Sequence, residues 1–191
     1  DYQLVASHIY NFLKREYMER FYLAVSRKFE GCESLPSILE QLEQQMEEKF
    51  YHPDKHIFTN EDDTLGLSVG EIQDSQIMQA ISEDITRKDM EQLKKHFECL
   101  KEKYHDNTQY SAMYIKFVFS NVIQELFQEN QFSGERKLEQ EIERLYNCGN
   151  IKEILSVTEE NIKEYELFLE RSMNNSRNEV TAVKNYIYQH Y

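Results

Sequence analysis

Residues Tyr110 to Glu129 read YSAMYIKFVFSNVIQELFQE. As a helix, this stretch carries Met113, Tyr114, Ile115, Phe117, Val118, Phe119, Val122, Ile123, Leu126 and Phe127 around nearly its whole circumference. A helix apolar on all sides has little surface to offer water and belongs at the buried centre of a domain. It does not read as a membrane span, because Lys116, Asn121 and Glu125 interrupt a run that would need ~18 apolar residues. A buried central helix requires amphipathic helices around it, and the flanking sequence supplies them.

On the N-terminal side, Met90, Leu93, Phe97, Leu100 and Tyr104 repeat at spacings of three and four, which predicts a helix with one apolar stripe. Thr86 with Asp89 resembles a capping arrangement before it. Ile77, Ile81 and Ile85 mark a preceding helix with Asp74 as its N-cap. Residues 51–70 break the period: His52 precedes Pro53 and is pushed toward extended geometry, and Asn60-Glu61-Asp62-Asp63 is loop-like. A short strand is admitted near 56–59, with no evident partner. Leu35, Ile38, Leu39, Leu42, Met46, Lys49 and Phe50 form another helical face, begun by Ser34 and Pro36. Earlier still, Val5, Ile9, Phe12, Leu13, Tyr17, Phe21, Tyr22, Val25 and Phe29 predict one long amphipathic helix over residues 3–29, stopped at Gly31.

On the C-terminal side, Ser133-Gly134 breaks the central helix, and Leu138, Ile142, Leu145 and Tyr146 form the next, ending near Gly149. Ile151, Ile154 and Leu155 predict a short helical turn. Thr158 caps a helix running to Met173, Asn174-Asn175-Ser176 is a polar joint, and Val180, Val183, Tyr186 and Ile187 lie on a last helix. The fold class is therefore all-α: an irregular multi-helix bundle with a long N-terminal helix.

Composition agrees. Of 191 residues only five are Gly and two Pro, where average usage gives about 23 together, too few to turn a many-stranded β protein. The net charge of −13 argues against a surface that grips nucleic acid through its phosphates. Three widely spaced cysteines, Cys32, Cys99 and Cys148, read as free thiols in a reducing cytoplasm.

No residue set carries recognisable catalytic chemistry. Di-iron bundles need Glu-x-x-His on two helices, and only Glu102-Lys103-Tyr104-His105 matches. His52 with His56, and His96 with Cys99, each lack the further ligands that zinc requires. There is no Gly-x-Ser-x-Gly elbow and no glycine-rich phosphate loop. Glu61-Asp62-Asp63 reads as a solvated loop. Catalytic, cofactor-binding and metal-ligating residues are thus assigned to no position, and no enzyme activity is expected. What remains is interaction. The N-terminal stripe must bury itself, either on its own domain or against the same helix of a second copy. In the second case Ile9, Phe12, Leu13, Tyr17, Phe21 and Val25 form a homodimer interface.

The C-terminal stretch Val180-Thr181-Ala182-Val183-Lys184-Asn185-Tyr186-Ile187-Tyr188-Gln189-His190-Tyr191 resembles the first helix of the DNA-binding domain of AraC-type transcription regulators. That helix typically reads as an apolar pair, then Tyr-Ile, then His-Tyr. The preceding elements, from Phe50-Tyr51-His52-Pro53 to the Thr158–Met173 helix, resemble in order the middle region of YesN-like response regulators. The sequence departs from that pattern at Thr86 to Asp89, where Gly-Asp is frequent, and at Tyr165-Glu166, where Trp-Leu is frequent.

The resemblance implies a piece of a two-component regulator, with a receiver domain before it and the recognition helices of a tandem helix-turn-helix domain after it. The long N-terminal stripe sets off a connecting helix at 1–30, and the resemblance, which covers roughly residues 35–191, implies a helical regulatory domain at 31–176 and the first DNA-binding helix at 177–191. The expected function is a cytoplasmic regulatory linker, probing no DNA by itself and acting as a homodimer, with DNA contacted only through the missing C-terminal domain. The alternative is a helical domain sensing a small-molecule effector in a pocket beside the aromatic-rich central helix. No membrane partner is expected.

Overall fold

The computed structural model describes residues 2–18, 21–59, 71–105, 107–129 and 135–190. Among these residues seven α-helices and two short strands follow in the order α1 (Tyr2–Tyr17), β1 (Leu23–Val25), α2 (Leu35–Glu47), β2 (Ile57–Thr59), α3 (Glu71–Arg87), α4 (Met90–His105), α5 (Ala112–Glu129), α6 (Glu135–Tyr146) and α7 (Ile151–His190). The all-α class holds. Glu61-Asp62-Asp63 and Ser133-Gly134 lie outside the described residues.

The helix expected over 3–29 is cut short. α1 ends where Met18 takes a left-handed backbone, φ 53°. The chain then extends into β1, which pairs in parallel with β2: Leu23 lies opposite Ile57, Ala24 opposite Phe58 and Val25 opposite Thr59. This is the partner that the 56–59 strand lacked in the sequence. The Leu23 amide also donates to the His56 carbonyl at 2.8 Å. α2 is the crossover between the two parallel strands, as such pairs require. At Gly31, φ is +81°, a backbone conformation that L side chains rarely adopt, so this turn favours glycine.

α3 to α7 form the bundle, and α5 packs against α3, α6 and α7. Ile115, Phe119, Val122 and Ile123 are fully buried, as the sequence requires of a central helix. Met113 and Phe117 nevertheless face outward. α3 and α4 join without glycine. Lys88 adopts φ 58°; its amide donates to Ile85 O at 3.0 Å, and the Asp89 amide donates to Asp84 O at 2.9 Å, closing the end of α3. Asp89 then caps α4, its carboxylate accepting from the Gln92 amide at 3.1 Å. Of the expected Thr86–Asp89 pair, Asp89 is the cap. Asp74 lies within α3 rather than at its start. Ser111 caps α5: its hydroxyl accepts from the Tyr114 amide at 3.2 Å.

The larger difference is at the C-terminus. The turn at 151–155, the helix from Thr158 and the last helix are one 40-residue helix. It starts at a capping arrangement in which Asn150 Oδ1 accepts from the Glu153 amide at 3.1 Å while Glu153 Oε2 accepts from the Gly149 amide at 2.7 Å. Thr158 is fully buried inside it and donates to Ile154 O at 2.9 Å. Asn174-Asn175-Ser176 continues the helix. These residues are weak helix formers, but none has the proline ring or the missing Cβ that ends a helix.

Candidate functional site

Two units meet at a seam. α1, β1, α2 and β2 form the N-terminal unit, and Phe50 and Tyr51 carry it into the core of the bundle. The Tyr51 hydroxyl donates to the Tyr110 carbonyl. Burial, with Glu47 adding to it, pushes the Tyr51 phenol well above its ordinary pKa. Lys152 of α7 bridges to Asp54 at 2.6 Å.

α1 offers two faces. Ala6 is buried, and Tyr10 and Leu13 are half-buried toward the strands. The Tyr10 ring stacks on His56 with centroids 5.0 Å apart. The adjoining stripe of Tyr2, Val5, Ile9 and Phe12 is open, Ile9 at 47% and Phe12 at 54% exposure. The six residues expected to form one interface are therefore divided. Ile9 and Phe12 share the exposed stripe, whereas Leu13 lies on the inner side of α1. Tyr17 is exposed, with Phe21 edge-on to its ring at 6.1 Å. Phe21 and Val25 have left the helix, and Val25 is a strand residue opposite Thr59.

α7 joins the core to a projecting rod. Ile151, Ile154, Thr158, Ile162, Tyr165 and Leu169 are buried along its first half. Surface ion pairs brace the same half: Lys94 to Glu166 at 2.5 Å and Lys101 to Glu159 at 2.8 Å from α4, and Lys137 to Glu164 at 2.8 Å and Arg144 to Glu160 at 2.6 Å from α6. Beyond Ser172 every described side chain is exposed, including Met173, Val180 and Val183. Val180 and Val183 thus stand on the same helix as the core residues, with no joint between.

The candidate metal and nucleophile residues are dispersed. His56 lies between Tyr10 and Tyr22, while His52 sits on the other side of the Pro53 turn beside His105. His96 Nδ1 lies 2.6 Å from Asp84 Oδ2, which ties α4 to α3 and leaves Cys99 exposed. Among the described residues no group of three His, Cys, Asp or Glu side chains is placed to hold a metal ion. Cys148 is buried and donates to Arg144 O at 3.4 Å; burial pushes its thiol up, away from a reactive thiolate. No helix among the described residues is long and apolar enough to cross a membrane.

An open groove of about 1070 Å³ runs along α7 from Leu169 to Lys184 beside Lys88, and further concave space lies at the seam. A cleft of about 610 Å³ opens between Leu42, Met46 and Phe50 of the N-terminal unit and Ala112, Met113 and Lys116 at the start of α5. Sequence reasoning missed this cleft, because it depends on how α2 docks onto α5.

Comparisons with protein-family models, with curated proteins and with solved structures return no match.

Proposed function

We propose that this chain is a regulatory linker of a transcription regulator, coupling an input domain to an AraC-type helix-turn-helix domain through α7. The observation that carries this reading is the continuity of α7 from Ile151 in the core to the AraC-like residues after Val180. A displacement of the bundle around Tyr165 then moves the far end as a rigid lever. Coupling of this kind needs two arrangements whose balance a signal shifts. The exposed α1 stripe, with Ile9 and Phe12 at its centre, supports dimerisation as the second element of the relay.

The test places this chain between a receiver domain and a tandem helix-turn-helix domain and measures operator binding with and without receiver phosphorylation. Inserting Gly-Ser-Gly-Ser between Asn174 and Asn175 is expected to keep DNA binding and abolish its dependence on phosphorylation. A response unchanged by the insertion rejects the lever.

The seam cleft favours a second reading, an effector-sensing domain. Its volume falls within the range of small-molecule sites, and its walls are mostly apolar. Thermal shift with a metabolite panel, compared with a Met46→Trp variant that fills the cleft, tests it. A ligand-induced shift that survives Met46→Trp excludes the cleft.

A further inference from the structure

The chain has 35 acidic and 22 basic residues, yet one concavity reverses that balance. A surface hollow of about 440 Å³ at the seam is lined by Lys55, Lys152, His52 and His105, with Asp54 the carboxylate in its wall and Tyr51 at its base. One turn of the N-terminal unit meets two helices of the bundle there. His52 and Lys55 stand at the two ends of the turn His52-Pro53-Asp54-Lys55, closed by the Lys55 amide donating to His52 O at 3.0 Å. Pro53 pre-sets that turn, and its carbonyl accepts from the Tyr22 hydroxyl at 3.3 Å. His105 is the last residue of α4, and Lys152 is the second residue of α7.

We propose that this hollow binds a multiply charged phosphate group, held by Lys55, Lys152, His52 and His105. Lysine ammoniums serve as point charges for phosphate, and an imidazole adds a donor and, once protonated, a charge. Two carboxylates compete for the lysines. Asp54 pairs with Lys152 at 2.6 Å, but its side chain is 86% exposed, and an exposed pair of this kind contributes little. Glu48 lies 3.9 Å from Lys55, at the outer limit of an ion pair. An arriving dianion displaces Asp54 and bridges Lys55 of the N-terminal unit to Lys152 of the bundle. Such a ligand adds a link across the seam beside the Tyr51 contact. This assignment stands apart from the role of α7 as a lever.

The test is calorimetric titration of the whole chain with inorganic pyrophosphate near pH 6, at constant ionic strength set with sodium chloride. One saturable site is expected. Replacing both lysines, Lys55→Gln with Lys152→Gln, is expected to weaken it roughly tenfold or more, the loss of two charge-assisted contacts. Asp54→Asn is expected to tighten it a few-fold, about what an exposed ion pair is worth, because Lys152 is released. Adenosine diphosphate run in parallel separates the phosphate group alone, if affinities match, from a phosphate ester, if the nucleotide binds tighter; both agree with the proposal. Circular dichroism melts of the variants confirm that they fold. Absence of a saturable site, an affinity unchanged in the double glutamine variant, or an Asp54→Asn affinity no tighter than that of the unmodified chain overturns it.

Discussion

The buried Tyr165 hydroxyl of α7 donates to the Ile85 carbonyl of α3 at 2.9 Å, across eighty residues of sequence. The same carbonyl accepts from the Lys88 amide at 3.0 Å. Tyr165→Phe therefore removes a hydrogen bond without orphaning its acceptor. The expected cost is about 1 kcal/mol, the net worth of one such bond. Urea denaturation should show a lower midpoint with an unchanged m-value. A loss above ~3 kcal/mol would mean that Tyr165 carries more than this bond.

The start of α7 depends on a reciprocal pair. Asn150 accepts from the Glu153 amide, and Glu153 accepts from the Gly149 amide. Asn150→Ala should cost about 1 kcal/mol, as lost caps do. Glu153→Gln, which keeps an acceptor at the same reach, should cost less than Glu153→Ala. Thermal melts of the three variants decide the order.

If α7 is one rod, two exposed positions on it keep a fixed separation. Spin labels at Glu159 and Lys184, twenty-five residues apart, should report a narrow distance distribution near 38 Å at 1.5 Å per residue. Asn175→Pro removes a helical hydrogen bond and should broaden or shorten that distribution. Because the described side chains around Asn175 are exposed, the melting midpoint of the bundle should stay within a degree or two.

Alkaline stability follows from Tyr51. Its neutral form is held by burial and by donation to Tyr110 O, so its folded pKa lies above the unfolded value. That contribution is complete below about pH 10, where an unfolded phenol begins to ionise, and declines as pH rises beyond it. Tyr51→Phe should be less stable than the native chain at pH 8, and the gap should narrow toward pH 11. Chemical denaturation at both pH values measures it.

Exposed Ile9 and Phe12 bear on assembly. Ile9→Glu with Phe12→Glu should leave the melting midpoint of the protomer nearly unchanged, since neither side chain is in the core. Sedimentation should show a dimer for the native chain and a monomer for the double variant. A native chain that sediments as a monomer at every concentration removes the α1 stripe from the relay.

The bundle was legible where side-chain period and burial coincide. Tyr110 to Glu129 announced a central helix because few of its azimuths are polar, and Leu93, Phe97, Leu100 and Tyr104 are the buried face of α4. The β1 strand was not legible, because Phe21, Tyr22 and Val25 also fit a helical stripe. What decides between the two is pairing with Ile57 to Thr59, a non-local contact. The contiguous run Phe21-Tyr22-Leu23-Ala24-Val25 was the available hint, short and apolar without a polar face. At Asn174 to Ser176 low propensity suggested a joint that the backbone does not make. Asn150-x-x-Glu153 was readable as a helix start ahead of Thr158. The two hollows at the seam depend on how two units dock, and no local pattern encodes that.

The unbroken α7 has a consequence for how its length can vary. Each residue added to a straight helix turns everything downstream by about 100° and advances it about 1.5 Å. A two-residue insertion after Ser172 therefore swings the Val180–Val183 edge to nearly the opposite side of the rod. A seven-residue insertion restores its azimuth to within about 20° while carrying it about 10 Å outward. In a chain that works as a lever, natural length changes here should come in sevens.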